Sequence, residues 1–543
     1  MNEIPRIGIA AVKPSFKIIV NDEPEDQLLR EPMAASLPVI ILGAAQPKPD
    51  AGDRLSWALG GLKRAGAQPP KFTRQHKRNL RKFVFRWCRT NLSPLQPHQL
   101  FTTEEWLEQA PYARRRKQGL LRRYRHGQTN RLTKAQINVD SFIKDEPYLS
   151  YKYPRNINSR DDYFKVMSGP FFDSVSKALM QNKFFIKYVP VPDRPSVLLE
   201  ELQGFLGGEG TYFCTDYTSF EAHFTDEIMH ACEFVLYRYM ARDIPTLKAK
   251  VRDILTTLSG TNVCRFKHGI MSMKATRMSG EMNTSLGNGF SNLMVFLYLC
   301  KLKDCGEVRG FVEGDDGLFS VERPNNAPTV ADFEACGWTI KIICTNDLNE
   351  ASFCGNVFDV NERIVITDPI AALVSFGWTS KRYARSGEKV KMELLRAKAM
   401  SMAYQYNGVP LLSAFARRIL QLTDTVRIRD SLLRHESYSY KQNILSAALL
   451  RMPPERTVGL SSRLLVEKLY GFSVADQIAT EVAFANIQLY SQISLVGCAY
   501  PIDWMTSWDN YVHFITDSAA PALMLRGRKQ CLDYGCSIYP KLR

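Results

Sequence analysis

Several absences narrow what this 543-residue chain can be. None of its twelve cysteines forms a C-x2-C pair. The closest are Cys300 with Cys305 and Cys531 with Cys536, and neither has a His/Cys partner pair at finger spacing, so no structural zinc is expected. There is no secretory signal: Glu3, Arg6 and Lys13 interrupt the short apolar pieces at the start. Scattered, core-type cysteines without such a signal fit a reducing compartment. Uninterrupted apolar runs, such as Leu37 to Ala45, fall far short of the roughly 20 residues that cross a bilayer. Any work at a membrane would therefore depend on another segment or partner. Internal repeats and low-complexity tracts are also missing, which excludes a solenoid.

Negative charge is in short supply. Aspartate and glutamate number 55 against 71 lysines and arginines, a formal charge of +16, and such an excess favours a polyanion, nucleic acid before membrane. With 45% apolar and 11% aromatic residues the chain is too rich in core-formers to be disordered, and its length suits a large multi-lobed enzyme.

Along the chain, residues 1–70 are rich in Pro, Ala and Gly and read as an extension, equally a loose tail or an ordered strap, with no chemistry assigned. From Lys71 to Arg131 basic residues interleave with aromatics, including Arg114, Arg115, Arg116 and Lys117, a pattern that can track a phosphate backbone or form a solvated face. Residues 201–375 hold the glycine punctuation and the strand-like runs Thr211–Cys214, Arg309–Val312, Leu318–Val321 and Thr339–Ile343, an α+β core. Beyond about residue 385 amphipathic helical patterns dominate, as at 391–400 and 411–422.

Three short elements carry chemistry. Glu313-Gly-Asp-Asp-Gly317 lies between two apolar runs and reads as a hairpin whose turn presents Asp315 and Asp316, a pair that suits a hard divalent cation. A Gly-Asp-Asp triplet alone arises by chance in roughly one such chain in ten, so a plain surface hairpin is its default reading. Asp216, at the carboxyl end of the Thr211–Cys214 run, could share a pair of magnesium ions with Asp315 if its strand lies beside the hairpin; an Asx turn capping the next helix is the alternative. Ser279-Gly-Glu-Met-Asn-Thr-Ser-Leu-Gly-Asn288 is a loop entering a helix, with Thr284 and Asn288 on one face. That spacing is rarer than about one chance chain in a hundred, which makes it the most specific signal.

In this order the three elements resemble motifs A, B and C of viral RNA-dependent RNA polymerases. Phe142 to Glu146 with Lys152, Arg155, Ile157 and Arg160 is similar to motif F, Phe333 to Lys341 to motif D, and Ser352 to Gly355 to motif E. The flavour is that of small positive-strand RNA viruses, nearest the tombusvirus-like and nodavirus-like polymerases. The resemblance implies a right-hand α+β fold: an N-terminal extension over 1–70, fingers over 71–200 with 241–275, a palm over 201–240 and 276–365, and a helical thumb over 366–543.

It also implies roles. Asp216, Asp315 and Asp316 would hold two Mg2+ ions, for which Mn2+ can substitute. Lys144, Lys152, Arg155 and Arg160 would face the triphosphate, and Lys341 would protonate the departing pyrophosphate. Glu221, where many relatives carry aspartate, would sort ribose from deoxyribose with Asn288 and Ser279 as partners, and Gly280 and Thr284 would also bind the nucleotide. Phe353, Cys354 and Gly355 would grip the primer strand, with Arg114 to Lys117 on RNA. Partners implied are RNA template and product, NTPs and membrane-associated viral or host replication factors, in the host cytoplasm. A reverse transcriptase and a non-catalytic RNA-binding scaffold are the rivals; Glu221, where a reverse transcriptase is expected to carry a bulky aromatic, argues against the first. His223, His230 and Cys232 are close in sequence but read as core or surface residues rather than a metal site.

Overall fold

The protein is described here from a computed structural model, which covers residues 11–21, 34–41, 56–129, 131–146, 154–203, 205, 210–429, 432, 439–493, 495 and 524–525. At its centre is a four-stranded antiparallel sheet in the order Ile340–Thr345, Tyr212–Tyr217, Asp316–Val321, Val308–Glu313. Strands Tyr212–Tyr217 and Asp316–Val321 are buried almost continuously, as in a sheet covered on both faces. Phe213, Tyr217, Val312 and Phe319 enter one large core, whereas Tyr212, Cys214, Phe311 and Leu318 enter another with Leu198, Leu199 and Leu202 of the Arg194–Leu202 helix. On the first face lies the Thr284–Leu302 helix, whose Phe296 stacks on Phe319 with ring centroids 3.8 Å apart.

A second sheet of six strands runs Met524–Leu525, Lys17–Val20, Gly269–Lys274, Thr261–Phe266, Val139–Ile143, Asn156–Arg160. It therefore joins segments from the 71–200 and 241–275 stretches with a strand from the first 70 residues. Of the two readings the sequence left open for the first 70 residues, the described parts are those of an ordered strap. Ile18 and Val20 share a core with Trp57, Leu59 and Met271, Ala34–Ser36 pairs with Trp378–Ser380, and Val39–Ile41 pairs in parallel with Ser491–Ile493. Pro and Gly punctuation left the choice open because strands of three or four residues are too short to show periodicity.

The helix Arg74–Asn91, capped by the Thr73 hydroxyl, buries Leu80, Val84, Trp87 and Cys88 on one stripe and leaves its basic residues outside. Helices Glu388–Gln405, Leu412–Leu422, Leu460–Tyr470 and Val474–Phe484 build a separate C-terminal core, completed by Ala35, Val39 and Ile41 from the N-terminal segment. Among the described residues no helix is long and apolar enough to cross a membrane.

Candidate active site

The hairpin that carries Asp315 closes through two residues, since Glu313 pairs with Asp316 across the strands. Gly314, first of the two, has φ +65°, the conformation such a turn needs there and that a side chain would strain. Gly317 serves a different purpose from the one expected of a turn glycine. A Cβ there would stand 2.5 Å from the Thr215 hydroxyl, so glycine is what allows the Asp216 strand to lie against the hairpin. Gly317 pairs with Thr215, which brings Asp216 beside the turn.

The turn is held from behind by a residue that the sequence reading missed. Asn292, 1% exposed on the Thr284–Leu302 helix, directs its amide at the carbonyl oxygens of Gly314, Asp315 and Asp316, at 3.4, 3.1 and 3.0 Å. The signal was available, because Asn292 continues the Thr284, Asn288 spacing by one more turn onto the same face. On the strand side, a cluster of Tyr217, Phe220, Phe224 and Trp338 backs the segment from Asp216 to Glu221. Ser219 lies in the left-handed region (φ +52°), turning the chain so that Glu221 comes back toward the site.

Like charge accumulates here. Burial first, then the Asp315 and Asp216 carboxylates, push Asp316 up to about 7, and burial with Glu221 raises Asp315. Hard oxygen donors that repel one another suit a divalent cation, although among the described residues no three His, Cys, Asp or Glu side chains form a ready-made cage. The sign of the pH effect follows. Folded protein keeps the Asp316 proton up to about pH 7 and unfolded protein only to about 3.8, so stability from this group is lost as pH rises through that window. In chelator, Asp316→Asn is expected to melt a few degrees above wild type at pH 8 and together with it near pH 4. Equal shifts at both pH values in thermal melts would contradict this.

Glu221 is half-enclosed. Its carboxylate accepts from the Ser279 hydroxyl at 2.9 Å and from Arg64 at 3.4 Å to each oxygen. Burial opposes its charge, but Arg64 and the hydrogen bonds hold it below the ordinary carboxylate value. Asn288, named as a partner of Glu221, instead accepts from Arg277 Nε at 3.0 Å, and Thr284 caps the loop through the carbonyls of Met278 and Glu281. Gly280 (φ +127°) lies against the Asn158 carbonyl, and the Asn158 amide donates to Ser279 at 2.6 Å. This seam joins the Ser279 loop to the strand that follows Arg155.

The remaining residues divide. Lys341 is exposed and pairs in register with Asp216 on the neighbouring strand. Lys144 and Arg155 both engage Glu146, at 2.8 Å each, whereas Lys152 lies outside the described residues. Arg160 does not face a triphosphate: 2% exposed, it is ion-paired to Glu281 and donates to Ile137 and Asn262. Its buried position at the end of an alternating strand makes it a cation of the core. Phe353 is likewise buried, at 3%, so its ring cannot grip a strand, while Gly355 is exposed and Cys354 faces Glu313. Arg114, Arg115 and Arg116 are all exposed; Arg116 makes a two-pronged pair with Asp162, and the half-buried Lys117 donates to the Glu108 carbonyl. His223 accepts the Thr339 amide at 2.9 Å, and His230 lies 3.3 Å from Asp226.

Carboxylates on a hairpin turn and an adjoining strand, with a serine loop entering a helix beside them, define a mixed α/β enzyme domain organised around an acidic site. Residues 154–403 match the family model for viral RNA-dependent RNA polymerase, a domain that indicates an RNA-directed RNA polymerase. No curated protein matches the chain at a significant level.

Proposed function

We propose that the chain copies an RNA template during viral genome replication and transcription, by two-metal nucleotidyl transfer from NTPs to an RNA 3′ end. The observation that carries this reading is the register of Gly317 on Thr215, which sets Asp216 against the Asp315–Asp316 turn. Two Mg2+ ions held by Asp216 and Asp315, with Asp316 in support, would stabilise charge on both the attacking and the departing oxygen of an in-line displacement. The residues of the chain do the rest. Asn292 fixes the turn, Lys144 and Arg155 neutralise the triphosphate once Glu146 yields them, and Glu221 with Ser279 accepts the ribose. Lys341, opposite Asp216, supplies the proton to pyrophosphate. In this reading the central four-stranded sheet is the palm, the six-stranded sheet belongs to the fingers and the C-terminal helical core is the thumb.

The test uses purified full chain with an unprimed RNA template, four NTPs and Mg2+ or Mn2+, resolving product length. Template-length RNA that depends on the metal is the expected result, and ribonucleotides should be preferred to deoxyribonucleotides. Protein that binds template but incorporates no nucleotide would leave the scaffold reading standing; a preference for deoxyribonucleotides would leave the reverse transcriptase.

A further inference from the structure

We infer that Arg64, a residue of the N-terminal segment outside the matched domain, is a specificity-determining residue that positions Glu221 for recognition of the ribose 2′-hydroxyl. The inference rests on the polymerase reading above and extends it to a part of the chain in which the sequence shows no chemistry.

The segment is anchored. After the short helix Ser56–Gly61 the backbone widens over Leu62–Gly66, and this turn is tied to the chain start by the Lys13 amide donating to Gly66 at 2.9 Å and the Gln68 amide donating to Ala11 at 2.8 Å. A Cβ on Gly61 would meet the Met271 sulfur at 2.5 Å, and one on Gly66 would meet the Phe16 ring at 2.8 Å. The turn is thus packed directly onto the six-stranded sheet, with no room to slide. Lys13 fixes the same corner from below, donating from its buried ammonium to the Thr276 hydroxyl at 2.8 Å.

From this platform Arg64 Nη2 reaches across to lie 3.4 Å from each Glu221 oxygen, while Ser279 donates to one of them from the opposite side. The Glu221 backbone is held as well, its carbonyl accepting the Arg277 amide at 3.2 Å. The carboxylate is suspended between the N-terminal turn and the Ser279 loop. Its extra methylene relative to aspartate has a use here: shortening the arm by one bond of about 1.5 Å would leave Arg64 out of reach. Left alone, Glu221 would also repel the neighbouring Asp315, whose proton affinity it raises and Arg64 lowers. Arg64 therefore supports a charged acceptor close to the catalytic carboxylates. A fixed, charged acceptor gains from a 2′-hydroxyl and loses when that group is missing, whereas a carboxylate free to swing into solvent distinguishes little.

An ordinary half-exposed ion pair would contribute only to stability, so the deciding measurement is a ratio. Single-nucleotide incorporation by the full chain on a primed RNA template gives kcat/KM for ATP and for 2′-dATP. In R64Q the ratio of the two is expected to fall about tenfold, the worth of a hydrogen bond to a charged group, through loss on ATP with 2′-dATP little changed. R64K, which returns a cation, should recover most of it. If R64Q loses its cooperative melt, R64M, which keeps the aliphatic stem, replaces it. Equal loss on both nucleotides, or no change in either, overturns the inference. Wild-type protein that incorporates neither nucleotide overturns the polymerase reading instead, and does so before any variant is compared.

Discussion

Asp315→Ala is expected to lower nucleotide incorporation by at least about a thousandfold without lowering the thermal stability of the protein. The two halves of that expectation have separate structural causes. The turn keeps its shape without the Asp315 side chain, because Gly314 supplies the left-handed residue and Asn292 binds the three carbonyls from the adjoining helix. Burial and the neighbouring Glu221 and Asp216 already disfavour the charged carboxylate, so removing it relieves repulsion. What disappears is a negative charge where the metals would sit, and with it several kcal/mol of transition-state stabilisation. Single-turnover incorporation set beside a thermal melt tests both. Incorporation within tenfold of wild type would refute the assignment of Asp315, and a large fall in melting temperature would show the turn to be its own scaffold.

Glu233→Ala should do the opposite, destabilising the fold by about 3–5 kcal/mol. Glu233 and Arg277 are both 0% exposed, with Oε2 and Nη2 2.7 Å apart, and the guanidinium lies over the Phe224 ring at 4.1 Å. Tyr237 donates to Glu233 at 3.0 Å, and a Cβ on Gly287 would stand 2.3 Å from its Oε2, so the first turn of the Thr284–Leu302 helix is packed directly on the pair. Removing the carboxylate strands a buried cation that water cannot reach, at a cost far above that of losing an exposed pair. Urea denaturation should show a lower midpoint, and a Glu233→Leu, Arg277→Met double replacement should regain most of the loss. A single variant as stable as wild type would mean that the pair contributes nothing net.

Much of the central region could be read without coordinates, for definite reasons. The strand runs at 211, 309, 318 and 339 are largely apolar and lie near glycines, so their existence and type follow from local pattern, with ends displaced by no more than three residues. Asp216, Asp315, Glu221 and Ser279 were identifiable because the chemistry of each is written in neighbours within ten residues. Lys341 was named through its resemblance to motif D, whereas its register opposite Asp216 came from the strand pairing.

Other features required the tertiary structure. Arg160 closes the strand that resembles motif F and in sequence looks like any other cation of that stretch; only burial against Glu281 and Asn262 makes it a core cation. Phe353 is an aromatic beside a left-handed turn, and whether its ring faces RNA or the core depends on helix Arg194–Leu202 and its neighbours, more than 150 residues away. Arg64 and Lys13 belong to a stretch of Pro, Gly and short apolar pieces with no period to detect, and they acquire meaning only where the chain start docks on strand Gly269–Lys274. By itself the sequence determined the local elements and the candidate site carboxylates, since periodicity, turn chemistry and motif spacing are short-range. The tertiary structure alone decided which cations are available to a ligand and which are consumed by the fold, because burial and ion pairing are set by residues distant in the chain.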